Sequence, residues 1–213
     1  MRYVKKVVPI LIMILGMVTI VASSDINTYL TERANSHIQK DIAKKVLRFH
    51  VLANSDSSED QAVKLKVRDA VGAMMEPKLE SAKSLDDTKQ IVSDHLNEIV
   101  EVATETLKEE GYAYKAEAFL TTVDFPEKTY GDYTFPKGEY EALEIVLGEG
   151  RGHNWWCVLY PNMCFRGSVY EVVDEESKKE LKEVLTPAEY AKVFDSGRFV
   201  MKLKFLEYFR KNS

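Results

Sequence analysis

The sequence predicts an α+β fold: a single domain with a mainly antiparallel sheet packed by two to four helices, behind an N-terminal signal or anchor segment. Three observations predict it. A strand pattern at residues 46–53 comes first, two helical patterns follow it, and strand patterns joined by turns then run from 114 to 160. Helices and strands grouped in this way favour an α+β sandwich over a parallel βαβ fold, in which they would alternate.

Residues 1–23 read as an export signal. Arg2, Lys5 and Lys6 make a positive start, and no charge occurs from Val7 to Ala22. That run of 16 residues is short of the roughly 20 that span hydrocarbon. A positive start, a short apolar run and then small residues is the layout of a secretory signal. Val21-Ala22-Ser23 offers the small residues, but its match to the cleavage pattern is loose, so an uncleaved anchor is the alternative. No cysteine follows the run, which argues against a lipid-modified terminus. Residues 24–44 are polar, with Ile26, Leu30, Ile38 and Ile42 thinly spread, and read as a linker or loose helix. The domain proper is placed at 45–213.

In residues 46–53, Leu47, Phe49, Val51 and Ala53 alternate with Arg48 and His50, the period of a half-buried strand with its polar face to water. Asn54-Ser55-Asp56-Ser57-Ser58 stops it. Asp56 or Ser58 can cap a helix, with Glu59 or Gln61 completing a capping box. Val63, Val67, Val71 and Met74/Met75 recur at helical spacing, and Pro77 should end this helix near Glu76. A second helix starts at Asp86 or Asp87. Ile91, His95/Leu96, Ile99, Ala103 and Leu107 form its stripe, and Gly111 suits the left-handed position after its end.

The period then turns to two. Residues 114–125 form a strand ended by Pro126, and Phe135-Pro136-Lys137-Gly138 is a turn. Residues 139–147 form the next strand. Gly148-Glu149-Gly150-Arg151-Gly152 is a flexible hairpin loop, and 155–160 is a short apolar strand. Residues 177–185 are an amphipathic helix. Thr186-Pro187-Ala188-Glu189 opens another, with Thr at the cap and Glu three residues on. Phe199, Met201, Leu203 and Phe205 alternate as a last strand.

Composition excludes some classes of function. The chain is 45% apolar and 30% charged, ordinary for a globular protein. Its net charge is −5 and no Lys/Arg stripe stands out after the signal, so nucleic acid is not an expected partner. The two cysteines, Cys157 and Cys164, lie close together in the exported part. An oxidising compartment favours their pairing as a disulfide. The chain-entropy model gives about 2.5 kcal/mol for so short a loop. Two thiolates with only His153 nearby are too few ligands for a metal.

Four patterns resemble catalytic centres, and each has a plainer reading. Asp195-Ser196-Gly197 matches the short aspartic-protease motif but also suits a turn. Gly148-x-Gly150-x-Gly152 could cradle phosphate, yet a Trp-Trp strand follows instead of a helix N-terminus. Cys157 with His153 would need a free thiolate. The carboxylates of Asp174-Glu175-Glu176, or Glu149 with Glu139, Glu141 and Glu144, are too common a pattern to indicate a glycosidase. No catalytic residue, cofactor or metal is expected. The adjacent Trp155 and Trp156 point to opposite sheet faces. With Asn154 they are candidate partner-contact residues as well as candidate core.

Three stretches carry a resemblance. They are Val51-Leu52-Ala53-Asn54-Ser55-Asp56-Ser57 with Asp60-Gln61 and Val67-Arg68-Asp69-Ala70-Val71, then Phe125-Pro126 through Gly138-Glu139-Tyr140-Glu141-Ala142, and then Gly152-His153-Asn154-Trp155-Trp156-Cys157 through Cys164-Phe165. In these the chain closely resembles the stage II sporulation protein R family of endospore-forming bacteria. The resemblance implies a signalling protein of sporulation, made in the forespore and exported into the space between forespore and mother cell. Its implied partner is a membrane-embedded peptidase of the mother cell that processes the sigma-E precursor. The N-terminal segment would engage the membrane during export. The resemblance implies no enzyme activity of the chain's own. An exported cell-envelope hydrolase or thiol enzyme is the alternative.

Overall fold

The computed structural model describes residues 26, 29, 30, 32–164, 173 and 175–194. The apolar segment 1–23, the Asp195-Ser196-Gly197 turn and the expected last strand at 199–205 lie outside the described residues. The chain divides into two units, Met1–Gln39 and Lys40–Ser213. Residues 32–39 of the first are helical; this helix, α1, ends at residue 43. Among the described residues no helix is long and apolar enough to cross a membrane.

The second unit continues with β1 (Leu47–Leu52), α2 (Ser58–Leu79), α3 (Leu85–Asp94), α4 (Leu96–Glu109), β2 (Ala116–Phe125), β3 (Lys128–Tyr130), β4 (Tyr133–Phe135), β5 (Gly138–Leu147), β6 (Asn154–Tyr160) and α5 (Glu175–Val184). Residues 187–194 form α6. The main sheet has the order β2-β5-β1-β6. β2 with β5 and β1 with β6 are antiparallel, while β1 with β5 is parallel. The fold is therefore α+β with a mainly antiparallel sheet. The small β3–β4 hairpin stands apart from it, in a stretch that sequence periodicity leaves unassigned.

Local chemistry sets the helix ends. Ser57, not Asp56 or Ser58, caps α2, its Oγ accepting from the Asp60 N–H at 3.1 Å. Asp56 is unavailable because its carboxylate already accepts from the His153 N–H at 2.6 Å. Pro77 does not stop α2 near Glu76. It sits in the last turn and removes only its own bond to Ala73 O, and the helix goes on past it: Glu80 N–H closes on Glu76 O at 3.1 Å, and Leu79 is buried. The single helix expected over 86–107 is two, broken at His95. The His95 ring Nδ1 lies 2.7 Å from Ile91 O and takes the carbonyl that a continuous helix would give to the His95 N–H; that N–H turns to Val92 O. α4 ends in a Schellman motif: Gly111 adopts φ 85°, and Tyr112 N–H reaches Leu107 O at 2.9 Å. Thr186 and Glu189 cap α6 reciprocally, Thr186 N–H to Glu189 Oε2 at 2.7 Å and Glu189 N–H to Thr186 Oγ1 at 3.4 Å.

The helices cover one face of the sheet. Val63, Val67, Val71 and Met75 of α2 and Ile99, Ala103 and Leu107 of α4 join Phe49, Val51, Leu143, Ile145, Trp155 and Cys157 in one core cluster. Each Val, Leu, Ile, Phe or Met side chain among them contributes about 1.5–3 kcal/mol on burial. The other face departs from expectation. Arg48 and His50 do not face water; they are 0% and 1% exposed. Phe125 and Tyr140 from the far end of the β2–β5 ribbon, with Tyr130 and Phe135 of the hairpin, lie over them. β1 is thus buried on both faces.

Candidate functional site

β6 carries the candidate contact residues, and its pleat divides them. Trp155 turns to the helix side, edge-on to Phe49 at 5.4 Å, with the Arg68 guanidinium 5.0 Å from its ring centre. It is buried, and its indole Nε1 has no hydrogen-bond partner among the described residues. Trp156 turns to the other face and is half-buried. It stacks on His50 at 4.9 Å and meets Phe125 edge-on at 4.6 Å. Asn154 opens the strand, also half-buried. Cys157 and Cys164 are joined, their Cα atoms 5.8 Å apart. Both are buried in the core cluster, and Met163 N–H folds back to Val158 O at 3.2 Å.

Beneath Trp156 lie two buried polar side chains, Arg48 and His50, that periodicity conceals. Arg48 Nε donates to Cys157 O and Nη2 to Tyr130 OH, both at 2.9 Å. The rings of Phe125, Tyr130, Phe135 and Tyr140 stand 4.3–5.8 Å from its guanidinium carbon. Burial holds Arg48 below its usual pKa, with the phenols of Tyr130 and Tyr140 opposing the shift. Beside it, burial and then the Arg48 charge press His50 down to about 4. Glu144 Oε1 is 3.3 Å from His50 Nε2, outside hydrogen-bond geometry, and burial raises Glu144. Both partners are pushed toward neutrality. The aromatic density of 125–140 is the signal in the sequence that this face is covered.

At the C-terminal end of β1, two distant segments cross. β5 and β6 are not hairpin neighbours, because β1 lies between them. The glycine-rich segment 148–152 is therefore no flexible hairpin loop but a crossover strapped over 53–57. Gly152 N–H donates to Ala53 O at 2.9 Å, Arg151 N–H to Asn54 O at 3.2 Å and Glu149 N–H to Asn54 Oδ1 at 3.0 Å. Lys64 Nζ donates to His153 O at 2.9 Å. A Cβ at Gly148 would overlap the Asn54 amide, and one at Gly152 the Ser55 carbonyl. Below the strap is Asp60, buried at the third position of α2. Asn54, Ser55 and Tyr114 side chains donate to its carboxylate at 2.9, 2.5 and 2.6 Å. Burial alone would raise Asp60, but these bonds and that from Ser57 hold it below the usual carboxylate range.

This arrangement spends its reactive groups on structure. His153 stands exposed with its ring Nδ1 against Asp56, while the Cys157 sulfur is buried in the disulfide. Glu141 bonds Lys89 at 2.5 Å from one side of β5, and Glu144 faces His50 from the other, so they form no carboxylate pair. Glu175 and Glu176 open α5, where acids complement the helix dipole. Among the described residues no group of three His, Cys, Asp or Glu side chains could hold a metal ion.

The comparisons with known proteins agree with one another. A family profile described as Stage II sporulation protein R (spore_II_R) matches residues 43–170. A protein of Bacillus subtilis (strain 168) named Stage II sporulation protein R is 37% identical over 161 residues, covering 71% of this chain and 72% of that one. No solved structure matches.

Proposed function

The chain belongs to the stage II sporulation protein R family, with a role in sporulation, and we propose that it acts there as an exported, non-enzymatic signal. In this reading, residues 1–23 carry it out of the forespore into the space between forespore and mother cell. There it binds the extracytoplasmic part of the membrane-embedded peptidase that processes the mother-cell sigma-E precursor. The observation that carries the reading is the strap. The first and third stretches of family resemblance converge at the C-terminal end of β1 and hold each other through Gly152 N–H to Ala53 O and His153 N–H to the Asp56 carboxylate. Such bonding makes a rigid platform for recognition. An activator of this kind must bind the active state of its receptor better than the inactive one. We assign Asn154 and Trp156 to the contact and Trp155 to the core beneath it.

Reconstitution tests the reading. The chain, with or without residues 1–23, is expressed beside the peptidase and its sigma-factor substrate in cells that do not sporulate. Substrate cleavage is expected only with the exported form. Cleavage by the peptidase at the same rate without the chain, or with the form retained in the cytoplasm, overturns it.

A further inference from the structure

The two edges of the main sheet are built differently. At β6 the chain folds back on its own strand: Met163 N–H bonds Val158 O, and the disulfide ties Cys164 back to Cys157. β2 is bare. Its ten residues pair with β5 on one side, in unbroken register from Ala116 opposite Leu147 to Phe125 opposite Gly138. No proline or bulge interrupts it, and Glu117 and Asp124 near its ends are its only charged residues.

Alternation decides which backbone groups face outward. Lys115 O accepts from Gly148 N–H at 3.0 Å, so position 115 faces β5, and 117, 119, 121, 123 and 125 follow it. The even positions face away. Ala116 N–H is taken by Thr104 Oγ1 at 3.3 Å. The N–H and C=O groups of Ala118, Leu120, Thr122 and Asp124 have no partner among the described residues. Phe119 stands beside this edge, 43% exposed. Glu117 and Asp124 lie exposed near its two ends and have no ion pair among the described residues.

We propose that the outer edge of β2 is a strand-addition site for an extended segment of a partner protein, β-branched or apolar at alternate positions and flanked by Lys or Arg. Unpaired backbone groups repeating every second residue are complementary to an extended chain. Phe119 supplies an apolar contact for one of its side chains, and Glu117 and Asp124 select basic flanks. A second copy is a poorer occupant, because it brings the same acids and a net charge of −5. The proposal deepens the activator reading and rests on it for the identity of the partner.

Thr122→Pro is the informative variant. Thr122 is exposed and its N–H points outward, so proline removes a donor to the added strand and no rung to β5. In the reconstituted cells, the full-length variant should lower substrate cleavage and recovery of the peptidase on the tagged chain by about tenfold. Exported amount and disulfide formation should match wild type, and Thr122→Ala should behave as wild type. A folded Thr122→Pro chain that captures and activates the peptidase normally overturns the proposal. If wild type itself fails to activate, the activator reading falls, and the edge is judged by a second arm. Purified full-length chain in detergent is mixed with the synthetic peptide Lys-Lys-Thr-Val-Thr-Val-Thr-Lys-Lys, and amide exchange is followed. Slower exchange at Ala118, Leu120, Thr122 and Asp124, weaker with a Glu-flanked peptide, is expected. No peptide-dependent slowing overturns the site. Slowing on concentrating the chain alone assigns the edge to a second copy and overturns the choice of partner.

Discussion

Arg48 carries its charge into a space walled by four aromatic rings, with no carboxylate bonded to it among the described residues. Ring faces and two oxygen acceptors stand where a counter-ion would. Truncation at such a site removes volume and leaves Cys157 O unpaired. Arg48→Ala should therefore lose about 3–5 kcal/mol of stability, and Arg48→Met, which refills the space, clearly less; urea midpoints compare them. His50 makes a pH prediction. Its folded pKa of about 4 lies below the unfolded 6.5, so the unfolded state binds more protons in that window. Its contribution is complete above pH 6.5 and is lost as pH falls toward 4, to a limit of about 3 kcal/mol. Glu144, raised by burial, has the opposite sign and moderates the slope. Urea titrations of His50→Gln across this window should show a flatter dependence than wild type. Arg48 and His50 escape a periodic reading because polar residues at alternate positions count as solvent-facing, whatever later covers them.

Elements here are set by short-range chemistry at their ends and by long-range contact along their lengths. The stop at Gly111 and the box at Thr186 and Glu189 are readable because every bond involved spans a few residues. The break at His95 is not, since Ile91, Leu96 and Ile99 keep their stripe across it while a ring nitrogen competes for one carbonyl. The strap is the most constrained connection. Gly152→Ala would push a methyl group into the Ser55 carbonyl, which should cost about 1–3 kcal/mol or more and loosen the crossover. Gly111→Ala meets nothing within 4 Å and pays only for its positive φ, about 1 kcal/mol. Thermal melts of the two variants give the order; equal losses would mean that the strap yields.

Across the whole molecule, the two tryptophans separate stability from the proposed partner contact. Trp155→Ala should destabilise the chain by about 3–5 kcal/mol and reduce the amount exported. Trp156→Ala removes a half-buried ring from the far face, and it should leave export and disulfide formation intact while lowering peptidase activation. Export levels and substrate cleavage, measured side by side, check both. Normal activation by a folded Trp156→Ala chain would remove Trp156 from the contact. The position of β1 between β5 and β6 shapes this surface, because it turns a segment that reads as a hairpin loop into a strap over the end of β1.

By itself the sequence determined what depends on neighbours along the chain: the α+β order, most strand and helix positions, the opposite orientation of Trp155 and Trp156, and the resemblance to the family in which the chain belongs. Those features follow from period, capping and turn chemistry, which act over a few residues. Only the tertiary structure decided the strand order, the burial of both faces of β1, the aromatic housing of Arg48 and which strands lie at the sheet edges among the described residues. Each depends on pairing residues about a hundred positions apart, as His50 pairs with Glu144 and Trp156. No local pattern records such a pairing, because backbone hydrogen bonds between strands are indifferent to side-chain identity, and cover by another segment is a property of the fold.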